Sequence, residues 1–336
     1  MTANAFWNRW IPRKTAISGR ISQPFMPHFP VLHGPIRPEA DDYATKAMLK
    51  TYNRAFKSGL PVTRFPAPEA ISRLSERFPW MREPIRIVRT HIELARKMGS
   101  TIAPLPPLLL VGRSGLFKTR FARELANTLG RPVHLEAMAG VTEASVVTGS
   151  MRGFRPVEAS LAARAMLTGS ATPAVILDKL DKATGGGLSG HPHAALLPFL
   201  DRESAHELRD RFLEESLDAS LIFWIATANS IESIEPALVD HFVVCEISHP
   251  SQDAVPHLFE LFEADLAGEL GASLRKVPKL STDAHKRLTD NFMSYGGDIR
   301  RFQHAWRMAL VSPHLKAVSD TRAKRKNIFT SLPEDN

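Results

Sequence analysis

Cys245 is the only cysteine in 336 residues. A single thiol excludes an internal disulfide framework and any zinc site built from cysteines. It lies in the apolar run FVVCEI, where a buried, unreactive thiol is expected. Long hydrophobic runs are missing too. Stretches such as Leu108–Val111 have strand length, far below the roughly 20 residues that a bilayer crossing needs. The start, MTANAFWNRWIPRK, lacks the apolar core of a secretory signal. The cytoplasm is therefore the expected compartment. Thirteen histidines are present, including HPH at 191–193. None stands at a spacing with carboxylates or cysteine that makes a metal site, so they are read as surface or loop residues. Apolar residues at 43% and charged residues at 23% are ordinary for a globular chain and exclude wholesale disorder or collagen-like repetition.

The charge is 43 basic against 35 acidic residues, or +8. A basic balance suits an anionic partner such as a nucleotide, a nucleic acid or an acidic protein. The excess is spread over an N-terminal arm (Arg9, Arg13, Lys14, Arg20), the region before Gly112 and a tail, TRAKRKN, so solvated surface charge is the preferred reading.

Four segments follow one another. QPFMPHFPVLHGPIRP has five prolines in sixteen residues, which disfavours both helix and central strand. Residues 1–68 are read as an arm outside the compact unit, with one helix over 39–58. From 69 to 250, apolar runs of strand length alternate with amphipathic helices: Leu108–Val111, Val133–Ala137, Ala174–Asp178, Leu221–Thr227 and Phe242–Ile247. That alternation predicts an α/β fold with a parallel sheet covered on both faces. From 251 to 315 three helical patterns remain, predicting a small α-helical lid, and a basic tail occupies 316–336.

LLLVGRSGLFKTRFARELA follows the strand–loop–helix context of a phosphate loop, G-x-x-x-x-G-K-[ST]. Gly112, Lys118 and Thr119 fall at the required offsets. Phe117 stands where the motif has its second glycine, and Gly115 supplies some slack. Alone, this match is weak, and an unrelated strand–turn–helix competes with it. PAVILDKLDK ends a strand in Asp178, where a Mg²⁺-coordinating carboxylate is expected at a sheet's C-terminal edge; a strand-end helix cap is the competing reading. The next residue is Lys179, whose ammonium cannot serve as a base and can pair with Asp178. LIFWIATAN ends in Asn229, a polar amide at a strand tip suited to placing a water.

Together these segments resemble the AAA+ ATPase superfamily, and within it the ATPase module of Lon proteases, over about residues 74–311. The run from His191 to Phe242 carries the resemblance most specifically: an ALL-x-x-LD core, a helix rich in aspartate and phenylalanine, a D-x-S turn, A-T-A-N and P-x-L-x-D. The resemblance implies a P-loop sheet of order 5-1-4-3-2 followed by the lid, with ATP and Mg²⁺ as cofactors. It makes Gly112, Gly115, Lys118 and Thr119 phosphate-loop residues and gives Thr119 and Asp178 to the metal. Asn229 becomes the first sensor and Arg300, three residues after Gly297, the γ-phosphate arginine. GSMRGFRPVEAS resembles a pore loop with Phe154 as its gripping aromatic. The departures are Phe117 for glycine, Lys179 for the Walker B glutamate and His241 for the arginine finger. Arginine fingers contribute on the order of 10³–10⁵ in rate. Residues 316–336 are too short for a Ser-Lys protease unit.

The expectation is a Lon-like ATP-binding protein with weak or absent hydrolysis and weakened nucleotide binding. It would act as a regulatory or structural partner of an active AAA+ paralogue or another protein, with no membrane role. The Pro-rich arm is its expected docking element. A functioning ATPase that remodels protein clients is the first alternative. A nucleic-acid-associated scaffold, using arm and tail, ranks behind it.

Overall fold

The structure is a computed structural model describing residues 28–40, 42–153, 157–185 and 190–311. Two compact units divide the chain. One comprises the described residues up to Leu74, Arg82–Val111 and Thr119–Glu246; the other comprises Ser75–Met81, Gly112–Lys118 and the described residues from Ile247 onward.

The first unit is built on five parallel strands: β1 Leu108–Val111, β2 Val133–Ala137, β3 Ala174–Asp178, β4 Phe223–Ala228 and β5 Val243–Glu246. Their spatial order is β2-β3-β4-β1-β5, the expected 5-1-4-3-2 read from the other edge. β1 lies between β4 and β5, with Leu108 opposite Ile225 and Val243. Four of the five residues of β3 and all six of β4 are buried, as a sheet covered on both faces requires. Burial pushes the Cys245 thiol up to about 12, so it is the inert core thiol the sequence implies.

Eight helices of nine or more residues are found among the described residues: α1 Tyr43–Phe56, α2 Pro68–Arg77, α3 Arg82–Lys97, α4 Lys118–Thr128, α5 Pro192–Leu200, α6 Val255–Glu269, α7 Thr282–Asp290 and α8 Ile299–Val311. α1 begins at Asp42, whose carboxylate caps the Thr45 amide at 2.9 Å. Its Thr45, Leu49, Tyr52 and Phe56 are buried, a spacing that places them on one helical face.

That face corrects the boundary drawn at residue 68. Val31, Ile36, Leu49, Tyr52, Phe56, Leu60 and Val62 belong to the same hydrophobic cluster as Leu177 and Trp224 of the sheet. His28–Phe29 pairs antiparallel with Leu60–Pro61, and the Asp218 amide donates to the Val31 carbonyl at 2.9 Å. Prolines keep this segment out of helix and central strand, yet Val31 and Ile36, which lie between prolines, are core residues.

A second correction falls on the helix rich in aspartate and phenylalanine that the Lon resemblance implies within the run from His191 to Phe242. Over residues 201–217 only Arg202–His206 is helical; Leu208–Asp210 and Glu215–Leu217 form an antiparallel hairpin. The buried Asp210 carboxylate decides this. It accepts the backbone amides of Ser160, Phe212 and Leu213 at 2.7–2.9 Å, committing the turn's donors to a side chain.

The second unit is helical, as expected. α6, α7 and α8 close around Phe259, Phe262, Phe292, Phe302 and Trp306. Phe302 sits 4.8 Å from Phe292 and 5.8 Å from Phe262, ring centre to ring centre. The boundary expected at 250 lies at Glu246/Ile247, and this unit also holds residues 75–81 and 112–118. The reason is aromatic packing: Trp80 and Phe117 both lie against its core. Among the described residues no helix is long and apolar enough to cross a membrane.

Candidate functional site

The loop expected to cradle phosphate runs from Gly112 to Lys118. A side chain at Gly112 would place its Cβ 2.5 Å from the Ile247 carbonyl, so only glycine fits. Gly115 has φ 90° and lies against the Asp298 carboxylate. Its carbonyl accepts the Ile299 amide at 3.1 Å. Lys118 curls back over the loop, its Nζ donating to the Gly112 and Arg113 carbonyls at 2.6 and 2.9 Å.

Phe117 adopts φ 61°, the left-handed region that a glycine at this motif position enters freely. The loop thus keeps the glycine conformation without the glycine. The ring packs edge-on to Phe262 at 6.2 Å, and the Trp80 indole donates to the neighbouring Leu116 carbonyl at 3.4 Å. The benzyl group is absorbed by the aromatic core of the helical unit. Of the two placements open to this ring, inward or over the phosphate pocket, the structure has the inward one.

The metal-type ligands belong to the first unit. Thr119 opens its part of α4, and Asp178 ends β3. The Thr119 hydroxyl donates to Asp178 Oδ1. Thr227 donates to the same oxygen at 2.9 Å and accepts the Lys179 amide at 3.0 Å. Asp178 Oδ2 accepts no hydrogen bond from the described residues, leaving one carboxylate oxygen for a cation. Hydroxyl, carboxylate and substrate phosphates are the oxygen donors Mg²⁺ takes, so these residues fit the ion. Among the described residues no group of three His, Cys, Asp or Glu could hold a metal.

Lys179 is exposed and left-handed, with φ 58° and ψ 51°. Among the described residues it forms no ion pair with Asp178, contrary to the pairing its sequence position allows; the kink after β3 turns it to solvent. Asn229 is the first residue after β4 and is exposed. His241 is exposed at the end of the short helix Pro236–Val239. In the second unit, Arg300 is exposed in the first turn of α8, and its amide donates to Asp298 Oδ1 at 2.9 Å. It is Arg301 whose guanidinium lies 3.7 Å from that carboxylate, so Arg300 is the arginine left unpaired by Asp298. Phe154 lies outside the described residues.

Three contributors escaped sequence reading. Thr227 is one; a lone hydroxyl in the apolar strand FWIATA was its only signal. Asp298 is another. The third is His193, expected as a surface or loop residue, which lies in α5 and is 1% exposed. Its Nε2 meets the Leu180 carbonyl at 3.1 Å, and its Nδ1 meets the Glu235 amide at 3.4 Å. A neutral ring donating from Nε2 satisfies both. It ties the turn after Asp178 to the segment leading to His241. Burial lowers its pKa from the usual 6.5. The unfolded chain therefore takes up this proton first, and stability falls as pH drops below 6.5 toward the lower folded value. We expect the unfolding midpoint to drop between pH 7.5 and 5.5, and to drop less in His193→Gln. An equal pH response in both proteins would remove this role.

Residues 108–247 match the family described as AAA, "ATPase family associated with various cellular activities". Lon protease homolog 2, peroxisomal, of Xenopus laevis is 38% identical over 152 residues, 44% of this chain and 17% of that protein. The Lon protease of Frankia alni is 35% identical over 147 residues, again 44% and 17%. The chain thus spans under a fifth of the length of these relatives. Among solved structures, a closed-state reconstruction of Hsp104 with ATPγS and FITC casein matches with TM-score 0.58 and 16% identity. The match covers 82% of this chain and 52% of that one, and at that identity the likeness speaks to fold.

Proposed function

We propose that this chain, which carries an AAA ATPase domain related to Lon ATPase modules, binds ATP with Mg²⁺ and hydrolyses it slowly or not at all. The observation that carries the reading is the tip of β3. Asp178 retains a carboxylate oxygen for a cation beside the Thr119 hydroxyl, whereas the adjoining side chain, Lys179, is an exposed cation. When bound, the ion would neutralise phosphate charge. Lys118 and the loop amides would bind the phosphates, and Asn229 would orient a water. An ammonium has no lone pair with which to take that water's proton. His241 supports the same reading, because an imidazole at the finger position lacks the guanidinium's fixed charge and fork.

A chain that binds nucleotide without turning it over suits a regulatory or structural role. We assign it a partner in an active AAA+ paralogue or another protein assembly, in the cytoplasm. Steady-state ATPase assay with calorimetry tests this. We expect measurable Mg²⁺–ATP binding and turnover below the roughly 1–10³ s⁻¹ typical of enzymes. Lys179→Glu alone should leave turnover below that range, because His241 remains. Turnover within it by the unmodified chain would favour a working ATPase that remodels protein clients.

A further inference from the structure

We propose that Thr227 is the positioning residue of the Mg²⁺ site. One hydroxyl holds the metal-ligand carboxylate and the backbone of the next residue together, directing Asp178 toward the ion and residue 179 toward solvent. The inference rests on the reading of Asp178 as a Mg²⁺ ligand.

Register brings the two side chains together. Leu177 is paired with Ala226 across β3 and β4, so Asp178 and Thr227 come next on neighbouring parallel strands. Thr227 is 2% exposed and carries the only hydroxyl of β4. Its single proton goes to Asp178 Oδ1 at 2.9 Å, and a lone pair receives the Lys179 amide at 3.0 Å. Those two bonds use the hydroxyl in one orientation. With Thr119 donating to the same oxygen, both protein hydroxyls converge on Oδ1, and Oδ2 stays free of protein donors among the described residues.

The second bond matters as much. Lys179 is left-handed, a conformation unfavourable for a non-glycine residue that persists where surrounding structure holds it. Thr227 is the side chain that holds this amide. Valine has nearly the same shape but neither donates to Asp178 nor accepts from residue 179. Serine retains both functions.

Isothermal calorimetry of ATP binding to the full chain, with Mg²⁺ and with EDTA, tests the proposal. Outer hydrogen-bond partners of metal ligands typically contribute 10–100-fold to metal affinity. Thr227→Val should weaken ATP binding about tenfold in Mg²⁺ and leave the EDTA affinity unchanged; Thr227→Ser should behave as the unmodified chain. On an Asp178→Asn background, Thr227→Val should add nothing. Thr227→Ala is a second hydroxyl-free variant judged by the same criteria should the valine protein fail to fold. Equal weakening with and without Mg²⁺, additivity with Asp178→Asn, or a serine variant as impaired as valine would each overturn the proposal. Asp178→Asn separates the two readings. If it abolishes the Mg²⁺ effect while Thr227→Val preserves it, only the role of Thr227 fails. If Asp178→Asn leaves the Mg²⁺ effect intact, the metal-ligand reading fails and the inference falls with it.

Discussion

Phe117→Ala should destabilise the helical unit more than Phe117→Gly does, reversing the usual order of these two residues. Both substitutions remove the ring from its contact with Phe262. Deleting a well-buried phenylalanine costs about 3–5 kcal/mol; Phe117 is partly buried, so about 2 kcal/mol is the expected packing loss. Alanine would still have to occupy φ 61°. Where φ is positive, alanine is the poorer residue by about 1 kcal/mol. The glycine protein should therefore unfold at a higher temperature or urea concentration than the alanine protein, with both below the unmodified chain. Alanine equal to or better than glycine would mean that the loop relaxes out of the left-handed region at no cost. The same pair bears on nucleotide. Since the loop already has the conformation a glycine provides and the ring is packed among aromatics, Phe117→Gly should leave ATP affinity within about threefold by calorimetry. A large tightening would restore the view that the ring obstructs phosphate binding.

A chain beginning at residue 39 should lose much of its stability relative to one beginning at residue 28. Val31 is 0% and Ile36 2% exposed, and full burial of such side chains contributes about 1.5–3 kcal/mol each. Their removal costs about 3–6 kcal/mol, to which the lost pairing of His28–Phe29 with Leu60–Pro61 adds. Against the roughly 5–15 kcal/mol that keeps a domain folded, this is a large share. The comparison is an unfolding curve of each protein by circular dichroism. Coincident curves would show that 28–38 is an appendage, as its proline content first suggests. The expected separation would mean that these eleven residues serve the chain's own core, and that a docking role for the arm cannot rest on them.

Most of the architecture follows from local pattern. The runs at 108–111 and 174–178 are β1 and β3 to the residue, because a short uninterrupted apolar stretch suits an inner strand buried on both faces; the run at 133–137 is β2 to the residue as well, but it carries His134 and Glu136 and lies at the edge of the sheet with no buried residue. The lid helices are legible for a similar reason: helical spacing marks one face for burial whatever covers it. Gly112, Lys118, Thr119 and Asp178 are readable as candidates because the phosphate-loop pattern is contiguous and its expected companion carboxylate sits at a strand end. Distance along the chain hides the rest. Thr227 and Asp178 are 49 positions apart, and no pattern within either segment says that parallel pairing will put one hydroxyl against one carboxylate. His193 looks like any loop histidine until the Leu180 carbonyl and the Glu235 amide close on it. Phe117 reads as damage to a motif until the aromatic core that receives its ring is in place. Period and motif are properties of neighbouring residues, whereas partners, burial and tolerated strain belong to contacts that exist only after the chain has closed on itself.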